Sequence, residues 1–576
     1  MDFDPEPFQI GWAILHWLLV LLAVSVVGLF VAGLVSIAAM GLSGPKFVLG
    51  QIGRTLKGFA GAFTSGGLRR VTTVASLTLK EAIRRKALWI FAIFAALFMF
   101  AGWFLGSATI GSDRAAEPYV TFVLTTISLL SLPLAILLSC WGLPQDIKAR
   151  SLHTVVTKPV RRVEIVMGRM LGYSLVTAIV VGVMAAVGYV WIKRTVPERA
   201  QQQLIGRVPV YGELTIIGRD GRPGEGINVG DIWEYRGYVE GNSQGRGIYE
   251  FDELPLGKLR DMGELPVEYD FEIFRTVKGD VVTGVRAQFT LINDRGTEDE
   301  SDDLRVDYPE VAFEVKEFTD SVSEAVQSIP RELTGPDGQP VDLFKVAAEP
   351  PPPSDDPNTA VPDGLIAPDG SLTISVRCID RNQYLGVARR DLFVRMPDKP
   401  FVVSYAKAAF GILLQAIVLV ILGTTASCIV KGPVATFLTL GLFLMGMGSV
   451  RDYASNELFK TEADTNVANG VAVLGGGPIE SVYRLVTQMN QTTQIPDSTS
   501  VRVMKKVDTA LLGTEKLVLE VVPDLRPFST ADYLKKGFDI PWSTSTLPAL
   551  ATTLGFLIPC IILGALCLQM RELEAK

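Results

Sequence analysis

Few residues of this chain could make or break bonds, and they are scattered. The 576 residues include two histidines, His16 and His153, and neither has a companion at the spacing of a metal site. The topology argued below puts them on opposite sides of a membrane, which denies a Ser or Cys nucleophile its histidine base. No Gly-rich segment ends in Gly-Lys-Ser or Gly-Lys-Thr, so the chain does not hold ATP in the P-loop manner. Cys140, Cys378, Cys428, Cys560 and Cys567 are too few and too scattered for a disulfide framework. The acidic run 293–303 lacks the spaced ligands and central Gly of a calcium loop and reads as a solvated loop. Asn490-Gln491-Thr492 fits a glycosylation triplet that arises often by chance. No catalytic residue and no metal site is expected. What remains is electrostatic: two short, strongly basic stretches, 43–86 and 145–171.

The elements that hold those stretches are membrane helices. Apolar residues make up 48% of the chain and charged ones 20%, and the mean hydropathy is +0.31. The apolar residues gather in runs at 11–40, 87–108, 120–144, 172–192, 404–430, 433–449 and 546–569. Each is near the ~20 residues that cross a ~30 Å hydrocarbon core as a helix. The first run follows an acidic start, MDFDPEPF, and is too long for a signal core, so it is expected to stay as a membrane helix. Stretch 43–86 carries nine Lys and Arg against Glu81, and 145–171 carries six against Asp146 and Glu164. Cations in short loops mark the cytoplasmic side. Seven spans then put the N-terminus and both large polar stretches outside and the C-terminus inside, in a plasma or inner membrane. Seven of the eight tryptophans lie in or near span ends, where indole rests at the interface. Apart from Lys407 at the outer edge of the fifth span, no span carries an internal charge of the kind that ion-coupled carriers keep at mid-membrane. Energy for any transport is expected from a partner.

The first large polar stretch, 193–403, carries net charge −15, and the rest of the chain +8. Val267, Tyr269, Phe271 and Ile273 alternate with Glu268, Asp270 and Glu272; Leu372, Ile374, Val376 and Cys378 alternate likewise, as do Val311, Phe313 and Val315. Period-two alternation between Gly, Pro and Asp turns predicts half-buried antiparallel strands, eight to ten of them in an all-β sandwich. A polyproline-type linker, EPPPPSDDP (349–357), interrupts it. The fold class is therefore a polytopic α-helical membrane protein of about seven spans with an inserted extracytoplasmic all-β sandwich-like domain. The divisions are an extra N-terminal helix (1–42), a cytoplasmic linker and interfacial helix (43–86), three spans (87–192), the β domain (193–403), two spans (404–449), a second outer region (450–545) and a last span with tail (546–576). In that second region VYRLVTQMN (482–490) reads as an amphipathic helix.

Residues 76–89 place Leu77, Leu79, Ala82, Ile83, Ala87 and Leu88 at helical spacing, with Lys80, Glu81, Arg84, Arg85 and Lys86 over the remaining surface. Such a helix is expected to lie in the inner interface, its cations among anionic headgroups. The next stretch carries Asp146, Lys148, Arg150, Leu152 and Thr154, turns at Lys158-Pro159, and re-enters through Arg161, Arg162, Glu164 and Gly168-Arg169. Together the two resemble the membrane subunit of type-2 ABC transporters, the NosY-like permease family, over residues 76–192. The resemblance implies a six-span permease core made of the second to seventh runs. It further implies a coupling loop at 145–171 docked on a separate cytoplasmic ABC ATPase, with ATP bound by that partner alone. A homodimer or heterodimer of permease subunits, export, and no nucleic-acid partner follow from the same resemblance. The sequence departs from the family in its extra first span, its β insertion and the length of 450–545. The alternative reading is a membrane-anchored extracytoplasmic binding or envelope-organising protein without transport activity.

Overall fold

The computed structural model describes residues 8–84, 90, 93–94, 96–98, 100, 116–148, 160–227, 236–252, 254–275, 284–293, 303–316, 326–336, 338–344, 364–367, 370–454, 477–489, 495 and 498–574. A helical bundle carries a β domain at one end. The main helices are α1 (Ile10–Met40), α2 (Gly44–Ala62), α3 (Ser65–Arg84), α4 (Glu117–Lys148), α5 (Arg162–Thr195), α6 (Phe401–Ile429), α7 (Gly432–Gly446), α8 (Pro478–Thr487), α9 (Thr499–Val521) and α10 (Leu547–Glu574).

Among the described residues five helices are long and apolar enough to cross a membrane: α1, α4, α5, α6 and the segment Trp542–Met570 that contains α10. This is a multi-pass membrane protein. Two expected spans differ. Run 433–449 forms only the 15-residue α7, about 22 Å at 1.5 Å per residue and shorter than a ~30 Å core; extended backbone at Met447 ends it. Run 87–108 lies mostly outside the described residues. Helix α6 is the axis of the bundle, with Ala416, Val418, Leu419, Val420 and Ile421 all buried. Small residues let neighbours close on it: a Cβ at Gly423 would collide with Ser139 of α4. Helix α1 stands at the periphery, its apolar side chains exposed, tied by the Trp17 indole donating to the Gly555 carbonyl at 3.1 Å. Exposed apolar side chains on spanning helices are the surface lipid covers.

The β domain has fifteen strands among the described residues: β1 (Ile205–Tyr211), β2 (Glu213–Ile217), β3 (Pro223–Gly224), β4 (Gly237–Glu240), β5 (Arg246–Phe251), β6 (Glu264–Tyr269), β7 (Glu272–Arg275), β8 (Val285–Asn293), β9 (Leu304–Val315), β10 (Val326–Pro330), β11 (Glu332–Thr334), β12 (Pro340–Asp342), β13 (Leu372–Cys378), β14 (Gln383–Val387) and β15 (Leu392–Pro400). They form sheets ordered β3-β2-β5-β13-β8-β9, β1-β15-β6-β10 and β4-β14-β7, with hairpin β11-β12. One core, with Tyr249, Val267, Phe289, Ile374, Leu385 and Val394 among its members, joins the three larger sheets. The expected eight to ten strands fall short because β3, β11 and β12, at two or three residues, and β4 and β7, at four, are too short to show alternation. Val267, Tyr269, Phe271 and Ile273 are all buried, yet they do not share one strand: β6 and β7 belong to different sheets, and the alternation runs on through the corner at Asp270-Phe271. Leu372, Ile374, Val376 and Cys378 all point inward. Val311 does not; it is 80% exposed, while Val315 is buried.

The second polar region holds α8 and α9. Asp508 of α9 accepts from the Ile479 and Glu480 amides at 2.8 and 2.9 Å, satisfying free N–H groups at the start of α8. The expected 482–490 helix is thus α8, shifted to begin at Pro478.

Candidate functional site

The elements expected to couple, α3 and the start of α5, lie at the end of the bundle remote from the β domain. Helix α3 runs parallel to the first turns of α5: Arg70 meets Glu164, Val74 meets Gly168 and Thr78 meets Gly172. Glycine is required at the last two positions, because a Cβ at Gly168 would sit 2.6 Å from the Val74 Cβ and one at Gly172 would sit 2.5 Å from the Thr78 Cβ. Backbones that approach this closely bring side chains along α3 within reach of α5.

Two ion pairs use that approach. Glu164 is fully buried and accepts from Arg70 Nε at 2.8 Å, Arg70 Nη2 at 2.6 Å and the Arg161 amide at 2.9 Å. By accepting from the Arg161 amide it satisfies a free N–H at the start of α5. A buried carboxylate without such partners would carry the full desolvation penalty. One residue thereby caps α5 and clamps α3. Higher on the same face, Arg169 donates to Glu81 at 2.7 Å.

These contacts revise part of the sequence reading. Residues 162–171 are not loop: α5 begins at Arg162. Glu164 and Gly168 are internal packing residues, not a docking surface, because the carboxylate is sequestered by Arg70 and the glycine by Val74. The interfacial helix extends back to Ser65 and lies along α5, with Thr78 and Ala82 buried, instead of floating alone among headgroups. Lys80 and Arg84 remain exposed on it, as does Arg161 at the start of α5, while Glu81 is engaged. Asp146 and Lys148 belong to the last turn of α4. Arg85, Lys86, Arg150, Thr154, Lys158 and Pro159 fall outside the described residues, and so do the acidic run 294–302 and the triplet at 490–492. Between α3, α4 and α5 lies a cavity of about 260 Å³ bordered by Glu81, Trp141, Gln145 and Tyr173.

A second cluster joins the β domain to the bundle. Strand β15 runs into α6 without a linker, from Pro400 to Phe401. Nearly two turns into α6, Lys407 is 5% exposed and donates to Asp539 at 2.9 and 3.0 Å and to the Ile540 carbonyl at 2.7 Å. Asp539 also accepts from Lys399 at 2.7 Å and Ser404 at 2.7 Å. Burial opposes its charge, but the bonds from Lys399, Lys407 and Ser404 outweigh burial and hold the carboxyl below 3.8. The adjoining Arg207 of β1 pairs with Glu268 of β6, exchanges backbone bonds with Gly537 and Asp539 and lies over the Phe538 ring at 4.3 Å. In the sequence Lys407 reads as a lone edge charge. An ammonium inside an apolar run calls for a counter-ion, and Asp539, just before the last span, supplies it.

No family model, curated protein or solved structure matches the chain. The geometry therefore stands by itself: one clamped helix pair at one end, one buried charge cluster at the other, and α6 between them.

Proposed function

We propose that the chain is the permease subunit of an ABC-type transporter, exporting its substrate with energy from a separate cytoplasmic ATPase. The observation that carries the reading is the clamp at the remote end. Arg70, Glu164 and Arg161 fasten α3 to the start of α5, so that the stretch between Lys148 of α4 and Arg161 is anchored on both sides by packed helices. A force that reaches these two helix ends would be delivered to the bundle as rigid-body motion. The exposed cations Lys80, Arg84 and Arg161 supply a surface for an acidic groove. Helix α6, central to the bundle and continuous with β15, would carry the motion to the β domain. Two copies of the subunit, each with its ATPase, complete the proposed assembly.

The test is purification of the tagged chain from its native membrane in mild detergent, with identification of co-purifying proteins and an ATPase assay on the eluate. A stoichiometric P-loop ATPase is expected, its activity lost on Asp146→Lys with Arg150→Glu while membrane insertion is kept. Full activity in that double variant would refute the docking assignment. Recovery of the chain alone, or with envelope proteins only, would favour the anchored binding module.

A further inference from the structure

We infer that the β domain binds a small polar monocarboxylate in a groove on the outward face of its six-stranded sheet. The groove encloses about 550 Å³, within the range of small-molecule sites. Its floor follows from the strand register. Ser375 of β13 lies opposite Thr290 of β8, which lies opposite Asp307 of β9; one step along, Arg377 lies opposite Gln288. Extending the Val376 to Gly247 pairing by one residue brings Arg246 of β5 beside Arg377. All of these side chains belong to the face that alternates with the core residues Tyr249, Ile374, Phe289 and Leu291. The turn Thr334-Gly335-Pro336 after β11 forms a wall.

Charge decides the ligand class. Like charges side by side across a sheet repel, and Arg377 is answered by Asp307 and Gln288, each at 2.9 Å. Arg305, also on the lining, is answered by Asp303 at 3.0 Å, and Glu310, the lining's other carboxylate, stands exposed at the edge of the groove, where water screens it. Arg246 has no acceptor or ion-pair partner among the described residues, and its Nε is buried without a hydrogen bond. A guanidinium kept half out of water with no anion is a cost the fold bears unless a ligand removes it. One uncommitted guanidinium suits one carboxylate, whose planar oxygens match its fork; a phosphate dianion would leave a charge unmet. The hydroxyl and amide groups of Ser375, Thr290 and Gln288 suit a body that carries hydroxyls or amides. A sugar acid and a dipeptide share that chemistry. This inference does not depend on the permease reading.

The experiment uses the full chain in lipid nanodiscs and isothermal titration with two carboxylate probes, glucuronate and N-acetylglycylglycine. Their neutral counterparts, glucose and N-acetylglycylglycine amide, are run beside them, with inorganic sulfate as a dianion. Saturable binding of at least one carboxylate is expected, weakened about tenfold or more in its neutral counterpart and in Arg246→Gln, and unchanged in Arg222→Gln, an exposed control. Which carboxylate binds distinguishes the two sources. To separate loss of the guanidinium from loosening of the sheet, Arg246→Lys is added: it keeps the charge but not the fork and should bind at an intermediate level. Mass spectrometry provides a second readout, in which the binding probe protects Arg246 from phenylglyoxal. Absence of binding by either carboxylate below ~10 mM, equal binding of sulfate, or binding indifferent to Arg246→Gln would each overturn the inference.

Discussion

Replacing Asp539 by Asn removes the charge that balances Lys407 at the joint between β domain and bundle. The three donors on Asp539 respond differently. Lys399, 44% exposed, can turn to water, and Ser404 can rebond locally. Lys407, 5% exposed and held by its bond to the Ile540 carbonyl, cannot, so its ammonium is left buried and unpaired. Breaking a buried pair from one side costs about 3–5 kcal/mol. The opening equilibrium of segment 530–540 should rise accordingly, by about 150- to 5,000-fold at 1.36 kcal/mol per decade. Lys535 and Lys536 lie in that segment, so brief tryptic digestion of the detergent-solubilised protein, followed by mass spectrometry, reads the opening directly. Where reclosing outpaces cleavage, the rate tracks the open population. Pairing Lys407→Met with Asp539→Leu removes both charges and should return cleavage close to the wild-type rate. A rise below about fivefold in Asp539→Asn would refute the claim that this pair holds the joint, because it corresponds to only ~1 kcal/mol. So would a double variant as labile as the single one.

Gly172→Val should cost about 1–3 kcal/mol by driving a branched side chain into Thr78, with α3 released from α5; thermal unfolding in detergent and cross-linking between the two helices measure it. Arg169→Glu should cost about 1–2 kcal/mol, between an exposed and a buried pair, and Glu81→Arg on the same chain should recover most of it, checked by the same melts. Burial, only partly offset by Arg236 at 2.6 Å, pushes the Asp391 carboxyl of the β domain from 3.8 to about 7. Between those values the folded domain keeps a proton that the unfolded chain gives up, so this group's contribution to stability is full below pH 4 and falls as pH rises to 7. Asp391→Asn should remove that slope in a pH series of denaturant melts, and an unchanged slope would show that Asp391 does not titrate there.

The parts of the fold legible in the sequence are those written by a single period. The runs that became α1, α4, α5, α6 and α10 announce themselves by length and hydropathy, and Leu372 to Cys378 announces β13 by strict alternation. Two kinds of feature escaped. Elements whose residues serve neighbours and not solvent lose their pattern: Glu164 looked like a loop charge because nothing local reveals that Arg70, 94 residues earlier, folds back onto it. For polar residues paired across long separations the need for a partner is legible and its identity is not: Lys407 calls for a counter-ion, but nothing local names Asp539, 132 residues away. The groove of the β domain depends on register among β5, β13, β8 and β9, which alternation alone leaves free. The charges of the two basic stretches are thus visible by type, and only tertiary packing sorts those that build the bundle, Glu164 and Glu81, from those left on its surface, Lys80, Arg84 and Arg161.

The direct passage of β15 into α6 makes the β domain sensitive to counting. A helix turns by about 100° per residue, so one amino acid added just after Pro400 would swing the domain a quarter turn around the bundle axis, and two would turn it nearly backwards. At the other attachment, between Thr195 and Ile205, two turns of 3₁₀ helix are packed into the bundle through Val196, Ala200 and Leu204. The domain therefore has an indexed mount on both sides. Any chimaera that exchanges this domain must keep the residue count across 400–401 and across 196–204.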